Sequence, residues 1–177
     1  ERASPGRRHW RWHGLAAGQQ RQAAPMGEQI HTNDAVAPQS IINPARHSDV
    51  VGYVQEATTE QVEQALNNAQ AVQDIWARTA KDTRASYLLR AADLMEARLE
   101  ELMVLLCRES GKTYANAIAE VREAVDFLRY YATQIENLPA NAQVKPLGTV
   151  LCISPWNFPL AIFSGQIAAA LVSGNCV

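Results

Sequence analysis

The sequence predicts an α/β protein in which a small β-hairpin and three helices lead into the first strand and helix of a parallel sheet. Three observations carry that reading. Between residues 58 and 136, apolar side chains recur three and four positions apart, the period of a helix face. Residues 149–153 are almost continuously apolar, as in a strand buried on both faces of a parallel sheet. Residues 159–172 then form an apolar helix closed by Gly174-Asn175, and Cys176-Val177 reads as the start of another strand; strand, helix, strand is a βαβ unit.

Composition narrows the class. Of 177 residues, 47% are hydrophobic and 19% charged, with a net charge of −2, as in an ordinary soluble globular chain. That balance leaves no whole-chain footprint for nucleic acid or a membrane surface. Residues 160–172 are interrupted by Ser164, Gly165 and Gln166 and fall short of the ~20 residues a membrane span needs. No apolar segment follows the polar start, so a secretory signal is not expected and a cytoplasmic protein is. The three cysteines, Cys107, Cys152 and Cys176, show no C-x-x-C spacing, so neither a disulfide framework nor a metal site is called for. Cys107 and Cys152 read as small buried hydrophobes.

Residues 1–38 are rich in Gly, Pro, Gln and Arg and lack a pattern, which marks a linker or a foreign or frameshifted segment ahead of an ordered domain over 39–177. Arg2, Arg7, Arg8 and Arg11 surround Trp10 and Trp12. A basic aromatic arm for nucleic acid is the functional reading of that cluster, but no periodicity organises it, and the linker reading is preferred.

The ordered elements follow in turn. Ser40-Ile41-Ile42, the Asn43-Pro44 turn, and Val50, Val51, Tyr53 and Val54 around Gly52 make a hairpin. The first helix starts at Thr58, which forms a capping box with Gln61, and runs to about Ala77. The second starts near Thr79; Ala85, Leu88, Ala92, Met95, Leu99, Leu102 and Leu106 form one unbroken stripe along it, and Gly111 stops it. The third runs from about Thr113 to Glu136 with Ala117, Val121, Val125, Leu128, Ala132 and Ile135 on one face, and Asn137-Leu138-Pro139 ends it. The helix after the strand admits Pro159 in its first turn and has almost no polar face, so it is expected to be buried all round.

Chemistry concentrates where that strand ends. In open α/β sheets ligands bind beyond the carboxyl ends of the strands. There Pro155-Trp156-Asn157-Phe158-Pro159 forms a rigid turn with aromatic walls and one amide, Asn157. The amide N–H₂ of Asn157 can hold a developing oxyanion, a contribution of ~3 kcal/mol in a transition state. Equally, Asn157 can be a turn residue and helix cap bonded only to nearby backbone.

The run from Gly148 to Asn175, with Pro-Trp-Asn-Phe-Pro, an apolar helix and Gly-Asn, resembles the aldehyde dehydrogenase superfamily. The finer resemblance is to the glutamate-semialdehyde (pyrroline-5-carboxylate) dehydrogenase module of bifunctional proline utilisation A. It rests on Phe158-Pro-Leu-Ala-Ile-Phe-Ser-Gly-Gln-Ile-Ala-Ala-Ala-Leu, on Glu109-Ser-Gly-Lys-Thr and on Glu120-Val-Arg-Glu-Ala-Val-Asp-Phe-Leu-Arg-Tyr-Tyr-Ala. It covers residues 40–177, continues faintly at 22–26, and is absent from 1–20.

The resemblance implies a truncated, N-terminal part of an aldehyde dehydrogenase fold. It implies NAD as cofactor, with Ile153, Ser154, Pro155 and Trp156 lining its site. It makes Asn157 the side-chain half of an oxyanion hole and sets Phe158 against the aldehyde substrate. Glu123 matches a helix position bordering the same tunnel; its own context leaves a solvated carboxylate equally open. The family's nucleophilic cysteine and general base lie downstream, so the 177-residue chain is expected to be inactive alone and poorly soluble. FAD belongs only to a proline dehydrogenase module that is not in this chain. The parent enzyme is expected to be a homo-oligomer acting on a small semialdehyde, with no nucleic-acid partner in this segment. The alternatives are a segment of another NAD(P)-dependent aldehyde dehydrogenase, or a non-catalytic helical interaction module.

Overall fold

A computed structural model of the chain describes residues 37–139, 142 and 144–177. The expectation for residues 1–36, including the arginine and tryptophan cluster, lies outside the described residues.

Strands β1 (Gln39–Asn43) and β2 (Arg46–Val54) pair antiparallel as the expected hairpin, Ser40 opposite Tyr53 and Asn43 opposite Arg46. The Asn43 carboxamide shapes the turn, accepting from the Ala45 N–H at 2.9 Å and donating to Asp49 at 3.0 Å. Five helices follow: α1 (Thr59–Arg78), α2 (Lys81–Ala97), α3 (Leu99–Ser110), α4 (Tyr114–Glu136) and α5 (Ala161–Val172). Among the described residues, no helix is long and apolar enough to cross a membrane.

The hairpin is fastened to α3 by one ion pair. The Arg108 guanidinium donates to both Asp49 carboxylate oxygens, at 3.1 and 2.5 Å. Those bonds, seconded by Asn43, lower the Asp49 pKa to about 2. A carboxyl depressed on folding contributes stability that is complete above its unfolded value of ~3.9. That stability is lost as pH falls through about 2. Acidification across that window is therefore expected to lower the amide protection factors of β2, taken against the intrinsic rates at each pH, while those of α4 hold. Asp49→Asn should remove that change in protection, and β2 protection factors unchanged with pH in the parent chain would contradict the assignment.

The helix termini follow the sequence signals at several points. At the start of α1, Thr58 N–H donates to Gln61 Oε1 at 2.9 Å and Gln61 N–H donates to Thr58 Oγ1 at 3.3 Å. Gly111 closes α3 in the left-handed region at φ 66°, and Thr113 caps α4 by accepting from Asn116 N–H at 3.3 Å.

The second helix is not continuous. Arg98, at φ −111° and ψ 21°, ends α2 and begins α3, and its guanidinium forks onto Glu101 in the first turn of α3 at 2.9 and 2.7 Å. A stripe spaced alternately three and four apart drifts ~20° per heptad around a straight helix, so three heptads would rotate it by about 60°. The break resets the facing. Ala85, Leu88 and Ala92 of α2 pack with Val125, Leu128, Ala132 and Ile135 of α4 and with Ala168 and Val172 of α5. Leu106 of α3 joins a second cluster with Ala117 and Val121 of α4. Alanine stands at the α2–α4 contact, where Ala85, Ala92 and Ala132 are fully buried.

Residues 149–153 also depart from expectation. Thr149 bridges Cys176 in parallel, and Val150 N–H donates to Cys176 O at 2.8 Å, so the βαβ direction is as read. Beyond that bridge no ladder forms among the described residues, and Leu151 and Ile153 are 83% and 75% exposed instead of buried on both faces. A strand pairs and buries only where other strands lie alongside it, and residues 151–153 have no strand partner among those described.

Helix α5 begins at Ala161, two residues later than expected, with Pro159 and Leu160 in the preceding turn. It is buried along Ala161, Ser164, Gly165, Ala168 and Val172, while Phe163 is half exposed. Its last carbonyls are satisfied from far away in sequence. Arg84 Nε donates to Val172 O at 2.8 Å, Trp76 Nε1 to Leu171 O at 2.9 Å, and Gln73 Nε2 to Gly174 O at 2.9 Å. Asn175 closes the unit by accepting from the Leu147 and Gly148 N–H groups at 2.6 and 3.1 Å.

Candidate functional site

A helix begins with N–H groups that have no partner inside the helix. At α5 the nearby cap suggested by sequence is Asn157, but the structure uses a different residue. Glu120, on α4 and 1% exposed, accepts with Oε1 from Leu160 N–H at 2.8 Å and from Ala161 N–H at 3.3 Å. Its other oxygen pairs with Lys112 Nζ, and both side chains are withdrawn from solvent. A carboxylate at a helix N-terminus also meets the favourable end of the helix dipole. Lys112 follows the left-handed Gly111, and its ammonium lies 4.3 Å from the centroid of the Phe158 ring. One cation therefore touches both the carboxylate that starts α5 and the aromatic wall of the turn before it.

Sequence reasoning passed over Glu120 and Lys112 as individual residues. The available signal was position: Glu120 stands three residues after Ala117 and four before Ala124, within the buried stripe of α4. A carboxylate inside an apolar stripe needs a partner.

With the cap supplied by Glu120, the Asn157 side chain makes no hydrogen bond to a described residue and is exposed. The turn around it is held by Phe158 N–H donating to Pro155 O at 3.4 Å, and by Gln166 Nε2 of α5 donating to Ile153 O at 3.2 Å. Ile153 and Trp156 are 75% and 84% exposed, Phe158 is 40% exposed, Pro155 is exposed and Ser154 is half-buried. The result is a rigid, open apolar ledge carrying one amide with free donors.

Glu123 lies one turn beyond Glu120 on α4, half-buried, in a shallow groove with Ala119, Arg122, Asp126, Phe127 and Tyr130. None of residues 153–158 lines that groove. The structure thus joins Phe158 and the turn to Lys112 and Glu120, while Glu123 lies one turn further along the same helix. Phe127, stacked on Tyr131 with ring centroids 6.2 Å apart, connects the groove to α5 through Gly165. A Cβ at Gly165 would stand 2.7 Å from Phe127 Cδ2. Gly165→Ala is therefore expected to destabilise the chain by about 1 kcal/mol net, overpacking outweighing the helix-propensity gain. Chemical denaturation checks this: the midpoint should fall and recover in Gly165→Ala/Phe127→Leu, whereas a raised midpoint in the single variant would show that the contact is absent.

Burial pushes the Cys176 thiol up, away from the thiolate that nucleophilic attack requires, and Cys107 and Cys152 are half-buried. What remains chemically capable is the Asn157 amide, a neutral donor at the end of a β segment, where an oxygen gaining negative charge can be received.

Comparison with known proteins places these features in context. The sequence model of the aldehyde dehydrogenase family matches residues 31–177. The bifunctional protein PutA of Escherichia coli (strain K12) is 57% identical over 156 residues, which are 88% of this chain and 12% of that protein. The 1-pyrroline-5-carboxylate dehydrogenase of Anoxybacillus flavithermus is 39% identical over 163 residues, covering 85% of this chain and 31% of that protein. Among solved structures, 1-pyrroline-5-carboxylate dehydrogenase from Thermus with bound NAD superposes with a TM-score of 0.73 at 36% identity, over 78% of this chain and 30% of that one. Proline utilization A from Bdellovibrio bacteriovorus gives a TM-score of 0.74 at 35% identity, over 78% of this chain and 16% of that one. The chain spans a minor part of each of these relatives.

Proposed function

The chain belongs to the aldehyde dehydrogenase family, and on that premise we propose that it is a segment of an NAD-dependent enzyme that oxidises L-glutamate γ-semialdehyde to glutamate in proline catabolism. The observation that carries this reading is the Asn157 amide, exposed on a rigid turn and released from capping by Glu120. The names of the relatives, PutA and 1-pyrroline-5-carboxylate dehydrogenase, support the substrate.

In this reading the Asn157 Nδ2–H group donates to the aldehyde-derived oxygen as negative charge gathers on it. Because the amide is fixed before reaction, it stabilises that charge without reorganising. Phe158 walls the aldehyde's path, and Glu123 borders it from α4. Ile153, Ser154, Pro155 and Trp156 would hold the dinucleotide along the open ledge, and NAD when bound supplies the hydride acceptor. The ledge fits a flat ring. The start of α5 does not suit the phosphates, because Glu120 already takes the Leu160 and Ala161 N–H groups. FAD has no place in this segment and would belong to the proline dehydrogenase module of a bifunctional relative. A cytoplasmic, homo-oligomeric parent completes the proposal.

The test is a chimera in which residues 40–177 replace the matching segment of Escherichia coli PutA. NADH formation from the semialdehyde within about tenfold of the intact relative is expected, a barrier change of about 1.4 kcal/mol. A folded chimera that oxidises proline but not the semialdehyde would overturn the reading.

A further inference from the structure

We infer that Lys112 and Glu120 are a positioning pair that fixes the turn at residues 155–159, and with it the Asn157 amide, onto α4. This rests on the role proposed for Asn157, but the pair itself stands on independent geometry. The 1%-exposed Glu120 carboxylate binds the two N–H groups that immediately follow the turn, at 2.8 and 3.3 Å. Lys112 neutralises that carboxylate and at the same time sits 4.3 Å from the ring of Phe158, the residue next to Asn157. The turn is thus held at Phe158 by the cation and just beyond Pro159 by the anion, with α4 as the frame. Stability alone is a poor reason for such an arrangement. A buried ion pair is commonly matched or bettered by apolar residues of similar volume, whereas a fixed charge pair specifies one orientation. The neighbouring ledge is open, since Trp156 is 84% exposed, so packing does not hold the turn from outside.

The pair is tested in the chimera carrying residues 40–177 within Escherichia coli PutA, by amide hydrogen exchange resolved to single residues. Leu160 and Ala161 are compared with Val125 and Leu128 of α4 in the same molecules, so any global loosening or association affects both sets. Glu120→Ala is expected to raise exchange at Leu160 and Ala161 about 100-fold, and the isosteric Glu120→Gln about tenfold, because a charge-assisted acceptor is lost. Lys112→Met should also raise it about tenfold, and Lys112→Arg should restore it, because the arginine keeps the charge against both Glu120 and the ring. Val125 and Leu128 should stay near their parent rates. The inference is overturned if Glu120→Ala leaves Leu160 and Ala161 unchanged. It is equally overturned if those sites rise only in step with Val125 and Leu128, or if Lys112→Arg behaves like Lys112→Met. Failure of the pair and failure of the Asn157 role are separable. Raised exchange alongside an Asn157→Ala chimera with unchanged turnover keeps the pair and discards the oxyanion role. Unchanged exchange with turnover lost does the reverse.

Discussion

Asn157→Ala, introduced into the chimera with Escherichia coli PutA, is expected to lower kcat for the semialdehyde by about 10²–10³-fold, or roughly 2.7–4 kcal/mol of transition-state stabilisation. The Michaelis constant should change little, because the donor is needed most when charge has developed on oxygen and least in the ground state. The thermal midpoint should also hold. The Asn157 side chain is exposed and bonds to no described residue, and the cap of α5 comes from Glu120. The competing view of Asn157 as a helix cap expects the opposite pattern, a stability loss of ~1 kcal/mol with intact catalysis. Asn157→Asp sharpens the distinction: it keeps size and hydrogen-bonding atoms but sets a negative charge where another forms, so it should be at least as damaging to kcat. A variant with normal turnover would remove Asn157 from the chemistry.

Much of the fold was legible because its signals are local. The Thr58–Gln61 capping box, the stop at Gly111 and the hairpin turn at Asn43 each depend on a few adjacent residues, and each forms as the sequence suggests. The misreadings share a different cause. The break at Arg98 is invisible to spacing alone, because the three-four stripe runs through it undisturbed; only the need to face two clusters on α4 requires the reset. Residues 149–153 carry the composition of a buried strand, but burial is a property of the neighbours, and among the described residues only Cys176 forms a strand bridge there.

The site divides along the same line. Turn rigidity and the identity of the amide are written in Pro155, Asn157 and Pro159. What frees the amide is Glu120, distant in sequence, and its pairing with Lys112 becomes evident only when α3, α4 and α5 are assembled. The stripe position of Glu120 was available as a warning, since a carboxylate fully buried without partners would cost several kcal/mol. The sequence could show that a partner was needed; the fold was required to show that the partners were Lys112 and two amides of another helix.

The second large effect concerns the 177-residue chain by itself, which is expected to give no aldehyde-dependent NADH and to self-associate at micromolar concentration. Asn157 can stabilise an oxyanion only after a nucleophile has made one. Cys176 is buried with its thiol pushed up, the wrong direction for attack, and no family nucleophile or general base is implied for this stretch. The expectation of association comes from surface. Helix α1 buries no residue and leaves Val62, Leu66, Val72 and Ile75 half exposed or more. Leu151, Ile153 and Trp156 add an open ledge on the turn, and Phe163 is half exposed on α5. Covering a large apolar side chain is worth ~1.5–3 kcal/mol, so the total withheld from burial rivals the 5–15 kcal/mol stability of a typical domain. Faces of that kind find partners, in another copy of the chain if nothing else covers them. Analytical ultracentrifugation should show concentration-dependent mass, and a dye sensitive to apolar surface should bind. A monomer with a sharp cooperative melt would refute the association, and NADH formation above an enzyme-free control would refute the inactivity. The two outcomes are independent, because the role proposed for Asn157 requires a nucleophile whether or not the chain is a well-folded monomer.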